Sequence, residues 1–193
     1  MGRNCCITIE RQYGSGGREV ARILSERLGI PCYGRELLAV TAADNGISIE
    51  ELKKLDEKRT GSLLHDLVLY AFRFQNYNKM QEPFDINKEV SDTIRRLARK
   101  GPCIFIGRCA DFALDGECDV LKLFIYASSM EKRKRRICEV DDIAFEKAEE
   151  EIQKRDSQRS DYYHYFTGKN WGAMENYDAR SEEHTSELQS LID

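Results

Sequence analysis

The residues with the clearest chemical potential are Gly14, Ser15, Gly16 and Gly17. They follow an apolar run, Cys5 to Ile9, and precede Val20, Ala21, Ile23, Leu24 and Leu28 at helical spacing. Strand, glycine-rich turn and helix in that order make an anion cradle. Glycines let successive N–H groups converge on a phosphate, and the helix N-terminus adds partial positive charge. The usual signature asks for Gly, four residues, Gly-Lys and then Ser or Thr. Registered on it, this chain has Arg11 at the first glycine, Gly17 at the lysine and Arg18 at the hydroxyl. The shape of the cradle is kept, but its lysine and its metal-binding hydroxyl are not. The expected phosphate binders are therefore Gly14, Ser15, Gly16, Gly17 and Arg18, with Arg18 or Arg11 as the source of the missing charge.

A second candidate is Arg108, which opens Gly107-Arg108-Cys109-Ala110-Asp111 after the apolar run Cys103-Ile104-Phe105-Ile106. Strands are expected at these two runs and over 120–126, with a short one at Cys32-Tyr33. Helical spacing predicts helices over 87–100 and 130–140 and a strongly charged one over 142–161, followed by the aromatic run Tyr162 to Phe166. Leu37, Leu38, Val40 and Ala43 suggest a further helix, and Ser48 with Glu51 forms a capping box for one over 49–58. A helix over 62–80 is rich in aromatics (Tyr70, Phe72, Phe74, Tyr77) and suits a core or a protein interface. Fully apolar strands separated by helices read as a parallel sheet with right-handed crossovers, whose ligands bind beyond the carboxyl ends. The glycine loop and Arg108 would both lie there.

With 193 residues and 41% hydrophobic content, the chain can bury one good core. A net charge of −4 gives no pull toward a nucleic acid polymer or an anionic membrane. The basic cluster from Lys132 to Arg136 reads as a solvated helical face. No apolar run is long enough to span a bilayer, and Met1 to Asn4 lead straight into a strand without a secretory signal. Seven cysteines lie without CxxC or Cys/His ligand spacing, so a reduced, cytoplasmic protein without a metal site is expected. None of the three histidines has a sequence partner that would mark a catalytic triad.

From Arg180 the chain reads RSEEHTSELQS. This matches the conceptual translation of a widely used short-read sequencing adapter, in the frame beginning AGA TCG GAA GAG. Residues 180–193 are therefore expected to be non-native read-through, which leaves 1–179 as one domain. Setting them aside removes one basic and four acidic residues, so the net charge of −4 falls to about −1.

The glycine loop, GRCAD after an apolar strand, LKLFIYASSMEKRKRR, KRDSQR and the NWG…NYD ending together resemble the cytidylate-kinase-like family, relatives of the nucleoside monophosphate kinases. The resemblance runs from Ile7 to Asp178. It implies an α/β, three-layer P-loop NTPase fold with a parallel sheet. It also implies a monophosphate-binding insertion at about 32–83 and a LID at about 141–168. By motif, Gly14 to Arg18 would hold ATP phosphates, Arg108 would grip the acceptor phosphate, and Asp156 and Arg159 would contact the acceptor nucleotide. Tyr33 and Arg35 would begin the monophosphate site, and Arg135 and Arg136 match an arginine pair after the last strand. Catalysis would fall to Arg18, Arg108 and Arg159.

The implied activity is transfer of the γ-phosphate of ATP to CMP or a related monophosphate, with Mg²⁺ carried by the nucleotide. The alternative is a nucleotide- or phosphometabolite-binding protein with a degenerate loop and little or no turnover. A homodimer is left open. In the family the chain continues after NYD as an apolar strand and a closing helix. Here both are expected to be missing, which would leave the preceding strand unpaired at the sheet's edge.

Overall fold

The computed structural model describes residues 5–34, 36–37, 40–41 and 82–182. Arg35, the helices expected over 49–58 and 62–80, and nearly all of the one expected from Leu37 lie outside the described residues.

Strand β1 (Cys5–Arg11) is central, and its pleat sorts its residues between two layers of helix. Ile7 and Ile9 pack with Val20 and Ala21 of α1 (Gly17–Leu28). On the other face Cys6 packs with Val90, Ile94 and Leu97 of α2 (Glu82–Lys100). Each fully buried aliphatic side chain contributes about 1.5–3 kcal/mol. Helix α1 begins at Gly16 and ends at Gly29, both left-handed (φ 82° and 64°), where a side chain would be strained. Helix α2 starts five residues before the expected Asn87, because Pro83 is tolerated in a first turn, where its missing N–H has no helical partner.

Strands β2 (Cys32–Tyr33), β3 (Ile104–Ile106), β4 (Asp119–Tyr126) and β5 (Ala179–Glu182) complete a parallel sheet in the order β2-β3-β1-β4-β5. A short α3 (Ala110–Ala113) follows β3. Helix α4 (Met130–Asp141) is capped by the Ser129 side chain, which accepts from the Lys132 N–H. Helix α5 (Phe145–Thr167) extends six residues past its expected end, because Tyr163 is wholly buried and keeps the aromatic run helical until Gly168. The expected three-layer α/β fold is present.

The sheet's outer edge differs from the expectation. The edge strand expected to be missing is there in short form: β5 pairs with β4 from Leu123↔Ala179 to Tyr126↔Glu182. Parallel pairing uses main-chain groups and asks little of side-chain identity. Below it, the Asp178 carboxylate accepts from the Lys122 N–H at 2.7 Å, and the Lys122 carbonyl accepts from the Asp178 N–H at 2.8 Å. The edge of β4 is thus covered from Lys122 onward.

Candidate functional site

The carboxyl end of β1 runs into the glycine loop, and two exchanged residues there are physically coupled. A Cβ at Gly17 would stand 2.6 Å from Arg11 Cβ and 3.0 Å from its Cγ. The stem of Arg11 thus fills the space beside the position where the signature has its lysine. Its guanidinium reaches across to the loop after β3, where a Cβ on Gly107 would run into Arg11 Nη1. Arginine for glycine at position 11 requires glycine at position 17.

Hydrogen bonds from three elements, β4, α4 and α5, hold the loop. The Gln12 N–H donates to the Ile125 carbonyl at 3.0 Å, and its side-chain carbonyl accepts from the Ala127 N–H at 3.1 Å. Ser15 is fully buried, its hydroxyl 2.9 Å from the Gln12 carbonyl and 3.1 Å from that of Ile125. Gly14 is left-handed (φ 76°) and sits under α4, where a Cβ would meet the Arg133 carbonyl at 2.8 Å.

From α4 and α5, Arg133 Nε donates to the Tyr13 carbonyl at 2.8 Å, and Asp156 accepts from the Tyr13 N–H at 2.7 Å. Arg133 and Asp156 pair directly with each other. Arg159 Nη1 donates to the Arg11 carbonyl at 2.8 Å. The Tyr13 hydroxyl donates to Asp141 at 2.5 Å, while the Arg155 guanidinium lies 4.2 Å over its ring. Burial and the Asp141 hydrogen bond push the Tyr13 hydroxyl above its ordinary range.

The loop after β3 is built differently. Gly107, Arg108 and Cys109 are all left-handed, with φ of 71°, 63° and 52°. Burial lowers the Arg108 guanidinium from its ordinary value and pushes the Cys109 thiol up. Burial, and then the nearby charge of Arg11, holds Arg159 well below the usual arginine range. Arg11, Arg108 and Arg159 therefore crowd positive charge around one place, which an anionic ligand would relieve. Two buried carboxylates lie close to one another nearby, and Glu10 is the one against Arg11. Glu10 accepts from Trp171 Nε1 at 3.1 Å and stands 3.7 Å from Arg11 Nη1. Asp111 accepts from the Tyr163 hydroxyl at 2.6 Å. Burial raises both above the usual carboxylate range.

Comparison with known proteins settles the kinship. The sequence profile of the cytidylate kinase-like family matches residues 6–180. The chain belongs to the cytidylate kinase-like family. It is 31% identical over 153 residues to a cytidylate kinase of Methanothrix thermoacetophila, a match spanning 77% of this chain and 74% of that protein. A solved structure of an uncharacterized protein from Eubacterium ventriosum ATCC 27560 is similar with a TM-score of 0.70 and 23% identity, covering 97% of this chain and 95% of that one. A shikimate kinase from Bacteroides thetaiotaomicron shares the fold at a TM-score of 0.50 and 11% identity, over 97% and 98% of the two chains. Family and fold together support a nucleotide kinase-like role.

In this cytidylate kinase-like chain the expected site residues do not all meet. Gly14, Ser15, Gly16 and Gly17 form the loop, with Arg18 exposed on the first turn of α1. Arg108 and Arg159 come in from the two neighbouring elements and share the field of Arg11 and Glu10. Asp156 faces the loop itself, committed to Tyr13 and Arg133. Tyr33 stacks on Phe105 at 5.6 Å between ring centres. Arg135 is exposed and pairs with Glu131 one helical turn away. In the basic cluster Lys132 and Arg135 are exposed, Lys134 lies over the Phe145 ring, and Arg133 is buried, because Met130, Arg133 and Ile137 share a helical stripe.

Sequence reasoning passed over Glu10, Tyr13, Arg133 and Trp171. The available signals were a carboxylate ending an apolar strand and an arginine within an apolar stripe. An open hollow of about 450 Å³ lies elsewhere, along the edge of β4 between Asp115, Lys122, Lys169 and Asp178. None of the clustered arginines lines it, and Lys122 is held by Asp115 at 3.0 Å. Among the described residues no helix is long and apolar enough to cross a membrane, and no cluster of three metal-ligating side chains occurs.

Proposed function

We propose that the chain is a phosphotransferase that moves the γ-phosphate of ATP to CMP or a related nucleoside monophosphate. The observation that supports this most is the coupled exchange at Arg11 and Gly17, which keeps a cation at a phosphate cradle from which the lysine is gone. The backbone of Gly14 to Arg18 would hold the donor phosphates, since a helix N-terminus turns its first N–H groups and a partial positive charge toward an anion. ATP supplies the transferable phosphoryl group and brings Mg²⁺ with it.

Phosphoryl transfer asks mainly for alignment and for positive charge around the moving group. Arg11 and Arg18 supply charge on the donor side. Arg108 and Arg159 orient the acceptor phosphate and exclude water as α5 closes, with residues 141–168 acting as the LID and 32–83, Tyr33 and Arg35 included, as the acceptor-binding insertion. Asp156 orients arginines and does not read a base, because both its oxygens are engaged at the loop. On this proposal residues 180–193 are foreign to the domain and the location is cytoplasmic.

Coupled ADP release measured across CMP, UMP and AMP, with calorimetry for ATP, tests the proposal. ADP release that depends on Mg²⁺ and on a monophosphate supports it. Saturable ATP binding without turnover would make the chain a nucleotide-binding protein, and no binding would end both readings.

A further inference from the structure

Three cysteines stand in a row across the amino ends of β3, β1 and β4, at the opposite end of the sheet from the glycine loop. Ile7 pairs with Ile104, so Cys6 and Cys103 are neighbours on adjacent strands, and their sulfurs lie 3.7 Å apart. On the other side Cys6 pairs with Val120, two residues beyond Cys118, so the pleat turns Cys118 to the same face. All three pack in the core cluster under α2, and Cys118 hydrogen-bonds to Cys6. Their exposure differs. Cys6 and Cys103 are buried, whereas Cys118 is partly exposed and lines the open hollow of about 450 Å³. The Cys103 thiol, and to a smaller extent that of Cys118, hydrogen-bonds to the Cys6 sulfur and lowers it from the ordinary thiol value. Adjacent strands stand about 4.8 Å apart, within the span that a disulfide bridges.

We infer that this row is a site of reversible thiol oxidation by hydroperoxides, entered at Cys118 and ending in a disulfide between Cys6 and Cys103. The Cys118 sulfur attacks the outer oxygen of the hydroperoxide. An S–O bond forms, the O–O bond breaks, and the alcohol leaves with the thiol's proton, or water does where the oxidant is hydrogen peroxide. Cys6 then attacks the Cys118 sulfur, and hydroxide leaves with the Cys6 proton as water. Cys103 next attacks Cys6, its proton passing to the departing Cys118 sulfur. Two thiols are oxidised by two electrons in all, and one hydroperoxide is reduced. Burial raises the Cys118 thiol, which makes the entry step the slow one. The product ties together β1 and β3, the strands that carry the two loops of the candidate site. The inference needs no nucleotide and stands apart from the phosphotransferase reading.

The full chain is treated with hydrogen peroxide, remaining thiols are alkylated, and disulfide-linked peptides are mapped by mass spectrometry over time. A Cys6–Cys103 link that dithiothreitol reverses is expected. Cys118→Ala should slow its formation about tenfold, while Cys5→Ala, which removes an exposed thiol beside the row, should leave the rate unchanged. Cys103→Ala should stop the sequence at a Cys6–Cys118 link. Dimedone, which captures sulfenic acids, should label Cys118 of the wild-type chain at early times, a readout that does not rely on any variant folding.

Free Cys6 and Cys103 thiols after Cys118 has been oxidised would overturn the inference. So would a Cys6–Cys103 link that forms at the wild-type rate in Cys118→Ala, or early dimedone labelling of Cys6 or Cys103 without Cys118.

Discussion

Two loops meet at the carboxyl ends of the central strands, and they are made in opposite ways. In the loop after β1 the left-handed positions are glycines, Gly14 and Gly16, so the backbone is relaxed. Hydrogen bonds from β4, α4 and α5 then hold its shape. In the loop after β3 three residues in a row are left-handed, and only the first is glycine. Arg108 and Cys109 each carry strain of about 1–3 kcal/mol. The first loop offers its backbone as a cradle, whereas the second gives up stability to place one side chain. Strain is found where a particular side chain is needed, and glycine where a shape is needed.

Variants on either side of this comparison can break it. The largest effect is expected from Asp156→Asn, which leaves Arg133 buried without its countercharge and loosens both helices from the loop. Stability should fall by about 3 kcal/mol, seen as a melting point lowered by roughly 10 °C. A shift of a degree or two would mean that the loop holds its own shape. Tyr163→Phe removes the buried donor to Asp111 beside the strained loop and should cost about 1–3 kcal/mol in denaturant unfolding.

Arg108→Gly should act in the other direction on stability. The melting point should rise by the equivalent of about 1 kcal/mol as strain is released, while the KM for the monophosphate rises steeply. A variant that is both less stable and fully active would contradict the division of labour between the loops.

The smallest expected effect is one of pH. Glu10 has its folded-state value raised by burial, with Arg11, Trp171, Asp111 and Arg159 facing it. The folded chain therefore holds this proton more tightly than the unfolded chain does. The stabilisation is present below the ordinary glutamate range and is lost as pH rises through the raised value. Asp111 acts in the same sense. Thermal melts should show Glu10→Gln flattening this slope by Glu10's share, and an unchanged slope would place the proton elsewhere.

Much of this arrangement was legible in the residues. The glycine loop announces itself because glycine has few other reasons to cluster between an apolar run and an amphipathic helix. The parallel sheet follows from short, wholly apolar strands such as Cys103 to Ile106. The clamp on the loop was not legible. Asp156 lies 143 residues from Tyr13, and no periodicity encodes a hydrogen bond between a helix side chain and a distant main-chain N–H. Arg133 was hidden by charged neighbours, although its place in the stripe with Met130 and Ile137 marks it as inward. The edge strand was misjudged because pairing along β4 depends on main-chain groups that Ala179 to Glu182 possess whatever their side chains.

The central claim is that Arg11 and Gly17 are one coupled exchange, with the loop's cation moved from the second position to the first. A double-mutant cycle on ATP affinity, made from Arg11→Gly, Gly17→Lys and both together, measures that coupling. Each single variant should bind ATP poorly, the first for lack of a cation and the second because the introduced side chain collides with the Arg11 stem. The pair should bind about tenfold or more tightly than either single. Effects that simply add, with the double variant the weakest of the three, would contradict the claim.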